Sequence, residues 1–143
     1  MKPSCPKRIL LVEDEVMFAD ALSDILVGEG MNVTVANDEK NAVQCLQTGA
    51  FDLILLDLML PPDLDQEPTD WGYRTGIRIL KKLREMGRKT PVVVVSVVRD
   101  KAVLALAEEH GVAGYIQKPA SAEAIIRTIN RLVGRRRPCD RLE

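Results

Sequence analysis

Five short apolar runs punctuate the chain: Arg8–Val12, Asn32–Ala36, Leu53–Asp57, Val92–Ser96 and Gly114–Gln117. The first, third and fourth are almost unbroken in isoleucine, leucine and valine, the composition of strands covered on both faces in a parallel sheet. Between the runs, apolar residues recur at helical spacing. Phe18, Leu22 and Ile25 form the first stripe, and Ala42, Val43 and Leu46 the second. Ile77, Leu80 and Leu83 make the third, Val103, Leu104 and Ala107 the fourth, and Ile125, Ile126, Ile129 and Leu132 the fifth. A glycine follows each stripe (Gly28 or Gly30, Gly49, Gly87, Gly111, Gly134), where a left-handed residue is expected to end the helix. Ser121, with Glu123 and Ala124 behind it, marks the start of the last helix. The order is β-α five times over. It predicts an α/β fold, a doubly wound five-stranded parallel sheet with helices on both faces.

One stretch breaks the pattern. Residues 61–75, PPDLDQEPTDWGYRT, carry three prolines, four acids, Trp71 and Tyr73, and no periodicity. A loop of this length inside a compact domain is uncommon and often functional, so a partner-contact or lid role anchored by Trp71 and Tyr73 is expected. The alternative is a tolerated surface insertion. Asp63, Asp65 and Glu67 are spaced like calcium-loop ligands, but Pro68 stands where the turn glycine belongs, and calcium is discounted. No second domain is expected: residues 1–143 read as one domain, with a core from 7 to about 134 and a short basic tail over 135–143.

Composition narrows the class further. A chain of 143 residues with 46% hydrophobic and 29% charged residues can bury a core without staples and is not a disordered polymer. A net charge of −1 gives no general reason to bind nucleic acid or an anionic membrane. Arg135-Arg136-Arg137 reads as a solvated helix end. No apolar run approaches the ~20 residues of a membrane span, and Met1–Pro6 lacks the apolar stretch of a signal peptide, so the cytoplasm is the expected location. The three cysteines show no C-x-x-C spacing; Cys45 is expected to be a buried reduced thiol and His110 an ordinary residue at a helix end.

In a doubly wound sheet the functional edge lies beyond the carboxyl ends of the strands. Those ends carry Glu13-Asp14-Glu15, Asp57, Ser96 and Lys118. Two carboxylates ~5 Å apart repel by about 3 kcal/mol at an effective dielectric near ~20, so the cluster calls for a proton or a cation. Clustered carboxylate oxygens suit Mg²⁺, which keeps several waters and binds phosphate. Lys118 and Ser96 add a fixed positive charge and a hydroxyl donor for the oxygens of a transferring phosphoryl group. Asp57 then serves as a carboxylate nucleophile that yields an acyl phosphate.

Four stretches carry a family resemblance: Ile9-Leu-Leu-Val-Glu-Asp-Glu15, Phe51-Asp-Leu-Ile-Leu-Leu-Asp-Leu-Met-Leu-Pro61, Pro91-Val-Val-Val-Val-Ser96 and Gly114-Tyr-Ile-Gln-Lys-Pro119. Together and in this order the chain resembles the receiver domains of two-component response regulators. The resemblance implies a flavodoxin-like strand order 2-1-3-4-5 and a phosphoacceptor role for Asp57. It implies Mg²⁺ ligation by Asp14, Asp57 and the backbone carbonyl of Met59, with Glu13 acting through water. Ser96 and Lys118 would bind phosphoryl oxygens, and Tyr115 would be the aromatic switch residue that turns inward when Ser96 moves. The phosphodonor would be a sensor histidine kinase or a phosphotransfer protein. The chain would catalyse only its own phosphorylation and dephosphorylation. Its output would be a downstream protein or output domain, with a phosphorylation-linked homodimer as one route. Val97 stands where the family commonly has alanine, which implies restricted access. Met59 and Val98 are apolar where some relatives orient water, which implies slow self-dephosphorylation. Two rivals remain: a degenerate receiver that binds partners without phosphorylation, and an enzyme or flavin protein on a similar sheet. The acidic triplet after the first strand would repel a flavin phosphate unless a metal intervened.

Overall fold

A computed structural model describes residues 5–60 and 74–134. Among these, five strands alternate with five helices: β1 (Arg8–Val12), α1 (Val16–Gly28), β2 (Asn32–Ala36), α2 (Glu39–Thr48), β3 (Leu53–Leu56), α3 (Arg74–Glu85), β4 (Val92–Ser96), α4 (Lys101–Glu109), β5 (Gly114–Gln117) and α5 (Ala122–Val133). The strands form one sheet in the order β2-β1-β3-β4-β5, every neighbouring pair parallel. The expected doubly wound (βα)5 architecture and strand order are therefore present.

The unbroken apolar runs make sense once the sheet is seen to have two covered faces. Side chains alternate along a strand, so each run feeds both cores. Leu10, Val12, Ile54, Leu56, Val92 and Val94 face α2, α3 and α4, where Ala42, Leu46, Ile79, Leu80, Leu83, Val103 and Ala107 meet them. Ile9, Leu11, Leu53, Leu55, Val93 and Val95 face α1 and α5, packing on Ala19, Leu22, Leu26, Ile125 and Ile129. Strands β2 and β5 lie at the edges, and their residues are mostly half-buried.

Helix starts follow short polar side chains. Asp38, Asp100 and Ser121 accept hydrogen bonds from the backbone N–H of Asn41, Ala102 and Ala124 at 2.8, 2.8 and 3.1 Å. Asp100 therefore caps α4. The helix ends are less uniform than expected. Gly30, Gly87, Gly111 and Gly134 have positive φ, whereas Gly28 is the last residue of α1. Gly49 is extended, with φ −132°, because the chain passes from α2 directly toward β3 instead of folding back. Helix α3 begins at Arg74, inside the expected 61–75 loop. The rest of that loop, with Trp71, Tyr73 and the acids of the discounted calcium motif, lies outside the described residues, as does the 135–143 tail.

Two arginines tie the amino ends of the strands together, opposite the functional edge. Arg84 donates to the carbonyls of His110, Gly111, Arg88 and Thr90 at 2.7 to 3.1 Å. Arg88 donates to those of Leu46 and Gly49 at 2.6 and 3.0 Å. Helix carbonyls left without an intrahelical partner are thus met by guanidinium donors. His110 is half-buried at the end of α4, and Cys45 is a half-buried free thiol against the core. No described helix is long and apolar enough to cross a membrane.

Candidate functional site

Parallel pairing brings the carboxyl ends of four strands to one rim. Beyond β1, the Glu13 N–H continues the ladder to the Ala36 carbonyl at 2.9 Å, and the Glu13 carbonyl accepts from the Asn37 side chain at 2.9 Å. Beyond β3, the Asp57 N–H reaches the Val12 carbonyl at 3.0 Å, which sets Asp57 beside Glu13. Ser96, fully buried, closes β4, and the Lys118 N–H donates to its carbonyl at 2.9 Å. The Lys118–Pro119 peptide is cis.

The side chains converge. Carboxylate oxygens of Glu13, Asp14 and Asp57 all lie within 4.8 Å of one another; Glu13 and Asp57 are buried, and Asp14 opens the cluster to solvent. The Lys118 ammonium donates to Glu13 Oε1 at 2.5 Å and to Asp57 Oδ2 at 3.0 Å. The other Asp57 oxygen, Oδ1, accepts from the Met59 N–H at 3.0 Å, and Glu13 Oε2 accepts from the Glu15 N–H at 3.2 Å. The Tyr115 hydroxyl donates to the Val98 carbonyl, and its ring packs against the α2–α3–α4 core. The tyrosine is therefore turned inward. All the expected site residues, Glu13, Asp14, Asp57, Met59, Ser96, Tyr115 and Lys118, belong to this rim or adjoin it.

The electrostatics follow from burying like charges together. Burial pushes the Glu13 carboxyl up to about 7, and the charge of Asp57 adds to the effect, while the bond from Lys118 opposes it. Burial alone would lower Lys118, but the two carboxylates outweigh it and its ammonium is held above the ordinary range. Burial, then the charge of Asp57, raises Tyr115. Three carboxylates against one lysine leave an excess of negative charge made of hard oxygen donors, the donor set a small divalent cation prefers. Asp14, exposed, offers it a path in.

Two residues with a part in this site were not singled out from the sequence. Phe18 was visible as an apolar member of the α1 stripe, but its ring lies against the Lys118 ammonium, 4.3 Å from ring centroid to Nζ. Gly76 sits inside α3 where a Cβ would meet the backbone of Leu58, next to Asp57. A glycine within an otherwise regular helical stripe was the available signal.

A doubly wound sheet with a carboxylate–lysine cluster at the carboxyl ends of β1, β3 and β5 defines the class of protein. The particular family follows from comparison: the chain belongs to the response regulator receiver domain family, whose model matches residues 9–130. It is thus a receiver domain of the two-component response regulators. It is 32% identical over 122 residues, 85% of its length, to the transcriptional regulatory protein DltR of Streptococcus agalactiae. It is 31% identical over 128 residues, 90% of its length, to the transcriptional regulatory protein CpxR of Escherichia coli. The chain spans about half the length of these curated relatives, 50% of each. Among solved structures, a CheY-like receiver domain from Methanospirillum hungatei superposes with a TM-score of 0.78 at 24% identity, covering 90% of this chain and 94% of that one. A Francisella response regulator receiver domain gives 0.75 at 28% identity, covering 89% and 96%.

Proposed function

We propose that the chain is the phosphoacceptor switch of a two-component phosphorelay, taking a phosphoryl group on Asp57 from the phosphohistidine of a sensor histidine kinase or phosphotransfer protein. The observation that carries this reading is the Asp57 carboxylate itself, buried in an acidic cluster at the sheet's carboxyl edge with Lys118 3.0 Å from Oδ2. A carboxylate oxygen attacks phosphorus, the phosphorus–nitrogen bond of the donor breaks, and the departing imidazole takes up a proton. Lys118 offsets charge on the phosphoryl oxygens, Ser96 offers its hydroxyl, and the Met59 N–H holds the Asp57 carboxylate. Asp14, Asp57 and the Met59 carbonyl, with Glu13 through water, would hold Mg²⁺. When bound, that ion supplies charge neutralisation between carboxylate and phosphoryl oxygens. Catalysis is confined to the domain's own phosphorylation and dephosphorylation.

The signal then passes through Ser96 and Tyr115. The Tyr115 hydroxyl already reaches the Val98 carbonyl just past β4, so a shift of Ser96 toward the phosphoryl group alters the space the ring occupies. Phosphorylation would bias the balance of two surfaces around α4, β5 and α5 toward the one a downstream protein, an output domain or a second copy recognises. The setting is cytoplasmic, where the phosphodonor acts. Retention of Glu13, Asp14, Asp57, Ser96 and Lys118 in one site favours this reading over a degenerate receiver.

The test is beryllofluoride binding with Mg²⁺, followed by fluorine NMR on wild type and on Asp57→Asn. Saturable, Mg²⁺-dependent binding that Asp57→Asn abolishes is the expected result. Folded wild type that binds nothing would move the assignment to the degenerate receiver.

Two further outcomes are expected. With its carboxyl pushed up to about 7, Glu13 should hold a proton below that pH, and a cation beside it favours the ionised form. Apparent Mg²⁺ affinity should therefore rise with pH, by up to about tenfold per unit below that value, and level off above it. Calorimetric titrations at a series of pH values check the slope, and a flat profile counts against Glu13 in the ion's surroundings. The phosphoryl group should also be long-lived. Met59 and the half-buried Val98 offer no polar side chain to orient an attacking water, and exposed Val97 adds apolar surface beside them. A half-life of minutes or longer is expected from the decay of labelled aspartyl phosphate; a half-life of seconds would sink the idea.

A further inference from the structure

The Lys118 ammonium is bounded by three groups, of which the carboxylates of Glu13 and Asp57 are two and the face of Phe18 is the third. The lysine side chain is only 12% exposed, so the ring covers a side that water would otherwise occupy. Phe18 packs against the core but is not one of its fully buried members. It lies at the margin of the α1–α5 core, half-buried, whereas Leu22 on the next turn is inside it at 4% exposure. A branched aliphatic side chain would fill such a margin equally well. What an aromatic ring adds is a negatively polarised face, which attracts a desolvated ammonium without offering it a hydrogen-bond acceptor that would draw it off.

That difference matters for a lysine that must change partners. The stem of Lys118 has four methylenes and considerable rotamer freedom. In the resting site Glu13 and Asp57 hold its head group. Once Asp57 carries a phosphoryl group, one of those carboxylates is no longer available in the same form, and a cation beside Glu13 and Asp14 weakens the pull of the other. The face of Phe18 is unchanged by either event. We propose that Phe18 is a positioning residue for Lys118, a cation–π clamp that keeps the ammonium over the Asp57 side of the rim while its carboxylate partners change. Phe18 acts through the lysine and does not touch the phosphoryl group. The inference rests on Asp57 being the phosphoacceptor and adds to that reading a residue on α1.

The experiment separates ring electrostatics from ring shape. Phenylalanines bearing one, two and three fluorines are placed at position 18, alongside Phe18→Leu and Phe18→Trp, and beryllofluoride affinity with Mg²⁺ is measured for each. Fluorination drains the negative face with little change in volume. Affinity should weaken stepwise along the fluorinated series, by about three- to tenfold at the trifluorinated ring and similarly for Phe18→Leu, while Phe18→Trp binds at least as tightly as wild type. In the unliganded protein, the Lys118 ε-methylene protons should be shifted upfield by the ring current, and the shift should vanish in Phe18→Leu. Level affinity across the fluorinated series, with wild type binding normally, would overturn the clamp and leave the phosphoacceptor reading intact. An absent upfield shift in folded wild type would overturn it as well. Failure of folded wild type to bind beryllofluoride at all would overturn the phosphoacceptor reading, and the role of Phe18 with it.

Discussion

Lys118→Met is expected to slow phosphoryl transfer to Asp57 by about two to three orders of magnitude while strengthening divalent-cation binding. The two effects have opposite signs because one ammonium has two roles. Methionine keeps most of the length and volume of the stem and removes the charge, so the packing against Phe18 is largely retained. What is lost is a fixed donor at 3.0 Å from Asp57 Oδ2, inside a site where the lysine side chain is 12% exposed and electrostatic contacts are weakly screened. Negative charge that moves through the phosphoryl oxygens in the transition state then has one fewer positive partner. In the resting site, however, the same ammonium occupies an oxygen of Glu13 and one of Asp57, at 2.5 and 3.0 Å, the very groups a cation would use. Removing it leaves three carboxylates with no lysine to offset their mutual repulsion, and a divalent ion relieves that repulsion more than before. Rapid-mixing phosphotransfer from a small phosphoramidate and calorimetric Mg²⁺ titration measure the two quantities separately. A transfer rate within threefold of wild type would remove Lys118 from the reaction. A loss of cation affinity would mean that the lysine organises the cluster more than it competes for it.

The sheet was legible because its strands are buried on both faces, and a run such as Val92–Val95 has few other places to go. The edge strands were fainter: Thr34 interrupts β2 and Gly114 opens β5, as suits strands with one side less covered. The rim was legible for a related reason. In an all-parallel sheet every strand ends on the same side, so a charged residue directly after an apolar run is placed by topology alone. Glu13, Asp57, Ser96 and Lys118 could therefore be grouped without knowing a distance. What stayed hidden depends on how helices lie against that sheet. The contact between Phe18 on α1 and Lys118 after β5 joins two elements that no period or spacing along the chain relates. Gly49 read like the other helix ends, and only the path into β3 shows that its backbone is extended. The carbonyl contacts of Arg84 draw on α3, the turn after it and the end of α4 at once, and nothing in a charge pattern distinguishes that arginine from a solvated neighbour.

Gly76→Ala should cost about 3 kcal/mol of stability, a drop of roughly 10 °C in Tm, and should also weaken beryllofluoride binding about tenfold. A Cβ at this position would lie 2.4 Å from Leu58 Cα, 2.8 Å from its carbonyl oxygen and 2.9 Å from Cδ2. Two of those atoms are backbone, and Leu58 is fully buried, so neither side can yield by a simple rotamer change. The Gly76 N–H also donates to the Leu58 carbonyl at 3.2 Å, which ties the first turn of α3 to the segment leaving β3. An alanine must push these apart. Displacing Leu58 moves the residues on either side of it, and those are Asp57 and Met59, whose N–H orients the acceptor carboxylate at 3.0 Å. Stability and ligand binding are therefore expected to fall together. Gly87→Ala is the comparison that separates crowding from backbone strain: its φ is +75° and a Cβ there meets nothing within 4 Å. That substitution should cost about 1 kcal/mol through its left-handed backbone and leave beryllofluoride affinity unchanged. Denaturant unfolding of both variants, with binding measured on the folded fraction, decides the matter. If Gly76→Ala is no less stable than Gly87→Ala, the close approach of α3 to Leu58 is not what requires glycine there; if it is unstable but binds normally, α3 does not set the position of Asp57.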